Sequence, residues 1–169
     1  TNINQIIDIP DESYSTVIDA VRRNVPYMVL DLPHAWSHWV RNTLIASDEV
    51  IIVCQPDLAS LRNGKNMIDQ LKGHRVNDHA PRLVLNMCGV PKRPEIPVKD
   101  FAAAIGVEPD IIVPFEPEVF GMAANNGQMI SETSPAAKSS MALDQLASML
   151  TGRAIQAEEK SFLKKLLGK

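Results

Sequence analysis

Two cysteines, Cys54 and Cys88, are all that 169 residues contain, too few for a disulfide framework and in keeping with a reducing cytoplasm. No apolar run approaches the ~18–20 residues that a membrane-spanning helix needs, and no secretory signal opens the chain. No glycine-rich phosphate cradle is present either. Gly64-Lys65 has the ending of one, but the position five residues upstream, where its first glycine belongs, is Ala59. His34 and His38 are four apart and would share a helix face, yet no third metal ligand stands at a suggestive spacing, and the glutamate of the zinc-protease helix is missing. The chain opens on Thr1 without a methionine, and we expect it to be part of something longer.

What is present is a domain's worth of core. Apolar residues make up 45% of the chain and charged residues 22%, which excludes a disordered acidic or basic tail as the main body. The charge is uneven. Residues 153–169 hold five basic and two acidic side chains, leaving twelve basic against eighteen acidic in residues 1–152. An acidic body speaks against nucleic acid as a partner.

Four short runs are continuous and rich in Val, Ile and Leu: residues 26–31 (PYMVLD), 49–54 (EVIIVC), 82–88 (RLVLNMC) and 110–114 (DIIVP). Such runs suit strands buried on both faces of a parallel sheet. Helical periodicity fills the intervals, at residues 13–24, 36–46, 58–72, 98–105 and 136–150, with Gly106 and Gly152 placed to end the last two. The alternation predicts an α/β fold, a mostly parallel sheet flanked by helices on both faces.

Ligands collect at the carboxyl ends of strands in such sheets. Asp31 would stand at one of these ends, where a carboxylate suits the organisation of Mg²⁺ or the capping of the following helix. Asn86 closes a run of Leu and Val, and its amide suits either the edge of an adenine or a turn. Cys54 and Cys88 read as small buried apolar residues. Asn125, Asn126 and Gly127 suit a helix C-terminus with left-handed backbone, or a contact in a dimer or near a nucleotide.

The strings YMVLDLP, VCQPDLASLRNGKNMIDQLK, LVLNMCGVPKRPEIPVKDFAAAIG, VPFEPEVFGMAANNGQMISE and LASMLTGR resemble the Flp/Tad pilus assembly ATPases of the CpaE/TadZ type, within the MinD/ParA class of deviant P-loop ATPases. The resemblance covers about residues 14–153, and it implies that residues 1–153 are the C-terminal portion of such an ATPase domain. ATP and Mg²⁺ as cofactors, nucleotide-dependent homodimerisation, pilus and secretion proteins as partners, and positioning at a cell pole are further implications. Residue by residue, Asp31 looks like the Walker B carboxylate that holds Mg²⁺ through water, and so like a catalytic residue. Asn86 looks like the adenine-contacting asparagine, and Pro114, Phe115 and Glu116 look like the segment lining the base. The family's Walker A loop lies N-terminal to a segment such as this one, so no ATPase activity is expected of this chain alone. A non-hydrolysing scaffold is the other reading, binding partners through residues 92–95 and 123–129.

Residues 158–169 (EEKSFLKKLLGK) place Phe162, Leu163, Leu166 and Leu167 at helical spacing, with Lys160, Lys164 and Lys165 on the polar side. A basic amphipathic segment suits an anionic lipid surface or a docking site on the body. It also resembles the membrane-targeting tail of MinD. The expected location is therefore cytoplasmic, with peripheral membrane contact through Phe162, Leu163, Lys164, Lys165, Leu166 and Leu167.

Overall fold

A computed structural model describes residues 10–33, 35–75 and 79–153 of the chain. Among the described residues, contacts divide into two compact units, one within residues 10–50 and 70–80, the other within residues 51–69 and 81–153.

The first unit holds helix α1 (Asp11–Arg22) and helix α2 (His38–Ala46). Tyr14 of α1 stacks on Trp39 of α2, with ring centroids 4.3 Å apart and planes 6° from parallel. Val40 is buried, while Val17 and Val21 of α1 remain exposed. A helix leaves its last carbonyls without intrahelical donors. Here the buried guanidinium of Arg75 donates to the carbonyls of Leu44 at 2.8 Å, Ser47 at 2.5 Å and Asp48 at 3.1 Å. A residue just past the end of another helix thus closes α2.

The expected strand at residues 26–31 does not form, and this corrects the reading of its apolar run. Those residues pair with no ladder among the described residues, and Val29 is 89% exposed. Strand structure is a property of the pair, because its hydrogen bonds are made to a neighbour. Apolar composition without a neighbour leaves an irregular, largely uncovered segment.

In the second unit, β1 (Ile51–Cys54), β2 (Arg82–Cys88) and β3 (Ile111–Pro114) form a parallel sheet in the order β1-β2-β3. The connections are α3 (Leu58–His74), whose last turn belongs to the first unit, and α4 (Val98–Ile105). Asp57 caps α3 by accepting the Ser60 N–H at 2.8 Å, the N3 donor of that helix. Gly64 lets α3 lie directly on the sheet. A Cβ there would stand 2.6 Å from Cys54 Sγ and 3.2 Å from Ile105 Cδ1. Gly106 ends α4 in the left-handed region (φ 79°), as its position in the sequence predicts.

After β3 come α5 (Pro117–Asn126), the short α6 (Ile130–Thr133) and α7 (Lys138–Thr151). α5 carries proline at its first position, where no N–H is needed. It ends in a Schellman turn, with Gln128 N–H on the Ala123 carbonyl and Gly127 N–H on that of Ala124. The left-handed helix end expected at residues 125–127 is therefore present (Gly127 φ 63°), although α5 and α6 themselves were not legible in the apolar pattern.

Parallel partners share a face. Val84 and Ile111 are register partners, and with Val113 they form a buried cluster against Ala142 and Leu146 of α7. Val53 stands in register with Val84, yet it is 60% exposed: α7 packs on β3, and of this face of β1 Ile51 packs against the cluster while Val53 is left uncovered.

Candidate functional site

The site is the row of loops at the carboxyl ends of the three strands. β2 and β3 deliver theirs side by side. Cys88 pairs with Pro114, and the Phe115 N–H donates to the Cys88 carbonyl at 2.8 Å. Asn86 and the segment Pro114, Phe115 and Glu116 are therefore brought to one end of neighbouring strands. The register shifts between Leu85 and Cys88, where Met87 takes a left-handed conformation (φ 56°) that few non-glycine residues adopt. Asn86 accepts the N–H of Met87 on its own Oδ1 at 2.8 Å. That bond supports the irregular step and leaves the amide NH₂ as the donor end.

The loop beyond is held by two charged residues that the sequence offered only as a partner-binding surface. Arg93 donates to Gln55 Oε1 at 2.9 Å, to the Met87 carbonyl, and to Glu95 Oε1 at 2.9 Å. Glu95 accepts the backbone N–H groups of Gly89 and Val90, each at 3.0 Å. These donors, Gly89 first and Arg93 next, hold the Glu95 carboxyl below its ordinary 4.5. The Ile96 N–H reaches the Pro56 carbonyl at 2.8 Å, so the ends of β1 and β2 are tied together. A second left-handed non-glycine residue, Lys92 (φ 62°), turns the loop at its tip. The available signal was KRPEIP, where two prolines stiffen a turn around opposite charges two residues apart.

Glu116 faces the start of α7. Its Oε2 accepts the Ser139 N–H at 2.8 Å, and the nearby Ser139 hydroxyl, followed by that N–H, lowers its carboxyl below 4.5. It thus supplies an acceptor that Ala137, the residue at the α7 N-cap, lacks. Both thiols are raised. Burial, and then the Asp57 charge, push Cys54 to about 11, and burial chiefly raises Cys88. For Cys88 burial and Glu95 outweigh the opposing charge of Arg93, so neither thiol is activated as a nucleophile.

Asp31 belongs to the first unit, exposed in the irregular segment before α2. His38 stands within hydrogen-bonding reach of Asn42, Nδ1 to Nδ2, at 3.2 Å, and His34 lies outside the described residues. Among the described residues, no three His, Cys, Asp or Glu side chains converge as metal ligands would. What the strand ends of the second unit offer is directional hydrogen bonding on a braced backbone, suited to recognising a planar polar group. Residues 162–167, expected at a lipid surface, also lie outside the described residues.

A sheet of parallel strands with helices on both faces and a row of loops at the strand ends defines an open α/β class of fold. The fold is that of the MinD/ParA P-loop ATPases. It is similar to a ParA family ATPase from Chlorobium tepidum TLS, at TM-score 0.72 and 20% identity over 88% of this chain and 59% of that one. It is also similar to MinD in a MinC:MinD cell division complex from Aquifex aeolicus, at TM-score 0.69 and 20% identity over 87% of this chain and 61% of that one. The cell division ATPase MinD of Pyrococcus furiosus matches at TM-score 0.70 and 19% identity over 86% and 60%. The chain thus spans about three fifths of the length of these structures. No protein-family model and no curated protein matches the sequence. Among the described residues, no helix is long and apolar enough to cross a membrane.

Proposed function

We propose that this chain is the C-terminal portion of a MinD/ParA-class ATPase that positions Flp/Tad pilus assembly machinery, of the CpaE/TadZ type. The observation that carries the proposal is the adjacency of Asn86 and residues 114–116 at the ends of β2 and β3. In this reading the Asn86 NH₂ and the backbone around Pro114 meet the adenine, and the clamped loop of residues 87–95 holds them in place. ATP and Mg²⁺ serve the complete domain, with Asp31 holding the metal through water. Dimerisation with nucleotide, contact with secretion proteins and residence at a cell pole follow from the same resemblance. Residues 162–167 make the peripheral membrane contact, and two copies in a dimer would bind more tightly than one.

The test is nucleotide binding and turnover by the full-length protein, with Asn86→Ala beside the wild type. Mg²⁺-dependent ATP turnover, with weaker ATP binding in the variant, supports the proposal. Failure to bind any nucleotide rejects it. Exposed apolar residues on α5 and α7 favour a second reading, a scaffold of the same fold that binds proteins without hydrolysis. Full localising activity in an Asp31→Ala protein would support the scaffold.

A further inference from the structure

Helices α5, α6 and α7 border an open apolar groove of about 500 Å³, lined by Phe120, Ala123, Met129, Ser140, Leu143 and Asp144 among others. Ala123 and Ser140 are buried, whereas Phe120, Met129 and Leu143 leave 39%, 64% and 37% of their surface in water. On α7 the groove residues Ser140, Leu143 and Asp144 follow helical spacing, and the same spacing carries that face on through Ala147 and Ser148 to Thr151. At its end the chain turns. Gly152 is left-handed (φ 65°) and its N–H bonds to the Ser148 carbonyl, while the Ser148 hydroxyl donates to the Arg153 carbonyl at 2.5 Å. The backbone leaving α7 is thereby fastened to the side of the helix that leads to the groove.

The sequence continues for residues 154–169, which lie outside the described residues. From Thr151 back to Ser140 is about 16 Å along the helix axis. Five extended residues span about 16 Å as well, so residues 154–158 suffice to bring Phe162, Leu163, Leu166 and Leu167 level with the groove. The charges complement each other. Residues 154–169 hold four lysines against two glutamates, and Asp144 lines the groove, with Glu118 and Glu132 on the helices that form it.

We propose that residues 154–169 dock in the α5–α6–α7 groove of their own chain, apolar side inward and a lysine beside Asp144. A tether this short holds the segment at millimolar effective concentration, so weak contacts suffice. Phe162, Leu163, Leu166 and Leu167 are also the residues assigned to the lipid surface. Groove and membrane then compete for one face, and docking keeps the segment off the membrane. The competition rests on the proposed membrane contact, whereas the docking does not.

Hydrogen exchange on the full chain, without vesicles, tests the docking in wild type, Asp144→Lys and Leu143→Glu. Amides of residues 160–167 should exchange about tenfold more slowly in the wild type, a factor equivalent to ~1.4 kcal/mol. Asp144 is exposed, so its substitution carries the test even if Leu143→Glu disturbs folding. Co-sedimentation with vesicles of phosphatidylcholine and phosphatidylglycerol should then rise several-fold in both variants. Equal exchange in all three proteins overturns the docking, and equal vesicle binding beside it leaves the membrane contact standing. Protection that grows with protein concentration assigns the groove to a second copy and also overturns the proposal. Protection lost in the variants without vesicle binding by any of them upholds the docking and removes the membrane contact.

Discussion

Glu95 accepts a hydrogen bond from Arg93 at 2.9 Å, and through this pair two charged residues determine the path of the backbone from β2 to α4. Glu95 gathers the N–H groups of Gly89 and Val90, and Arg93 reaches across to Gln55 and the Met87 carbonyl. A left-handed methionine and a left-handed lysine are each worth about 1–3 kcal/mol of strain, and they persist only where such bonds hold them.

The clamp makes stability depend on pH with a definite sign. The Glu95 carboxyl is held below 4.5 in the folded protein, so its contribution is present above the unfolded value and is lost as pH falls through the folded one. The denaturation midpoint of Glu95→Gln should lie below the wild type at pH 7, and the gap should narrow as pH falls below 4.5 and the carboxyl takes up its proton. A gap of constant size from pH 7 to pH 3 would deny Glu95 this part.

Arg75 should matter more than any surface ion pair. Its buried guanidinium, 6% exposed, satisfies three carbonyls at and beyond the end of α2. Arg75→Ala should lower unfolding stability by about 3 kcal/mol in urea titrations, and Arg75→Lys should recover little, because one ammonium cannot span the fork.

Gly64 and Cys54 should couple. Gly64→Ala adds helix propensity but places a methyl 2.6 Å from Cys54 Sγ, so a net loss of about 1–2 kcal/mol is expected. With Cys54→Ala the sulfur is gone, and the same substitution should cost nothing or stabilise. A double-mutant cycle measures the coupling directly, and additive effects would place the strain elsewhere.

If the ATPase reading holds, Asp31→Ala in the full-length protein should abolish Mg²⁺-dependent turnover and leave the melting temperature within about 2 °C, since the carboxylate is exposed. Undiminished turnover would reject the Walker B assignment.

Much of this fold was legible locally. The bounds of β2 and α4 coincide with those read from the apolar run at residues 82–88 and the periodicity at residues 98–105. Gly106, Gly127 and Gly152 mark helix ends because the left-handed backbone there suits a residue without Cβ. The strand ends at Asn86 and Pro114 followed from the same patterns, and with them the edge of the sheet on which a site would lie.

Tertiary structure decided what depends on distant partners. Residues 26–31 and 49–54 have the same apolar character, yet only the second yields a strand, because only it meets a neighbour in the ladder. Glu116 read as a base-lining residue, and the fold brings Ser139 N–H to its carboxylate, 23 positions along the chain. Arg75 and the end of α2, or Gly64 and Cys54, meet only after the chain has folded back on itself. Backbone conformation and apolar period are local quantities and can be read residue by residue. Hydrogen-bond partners and close approaches are set by the whole chain, and no window of sequence contains them.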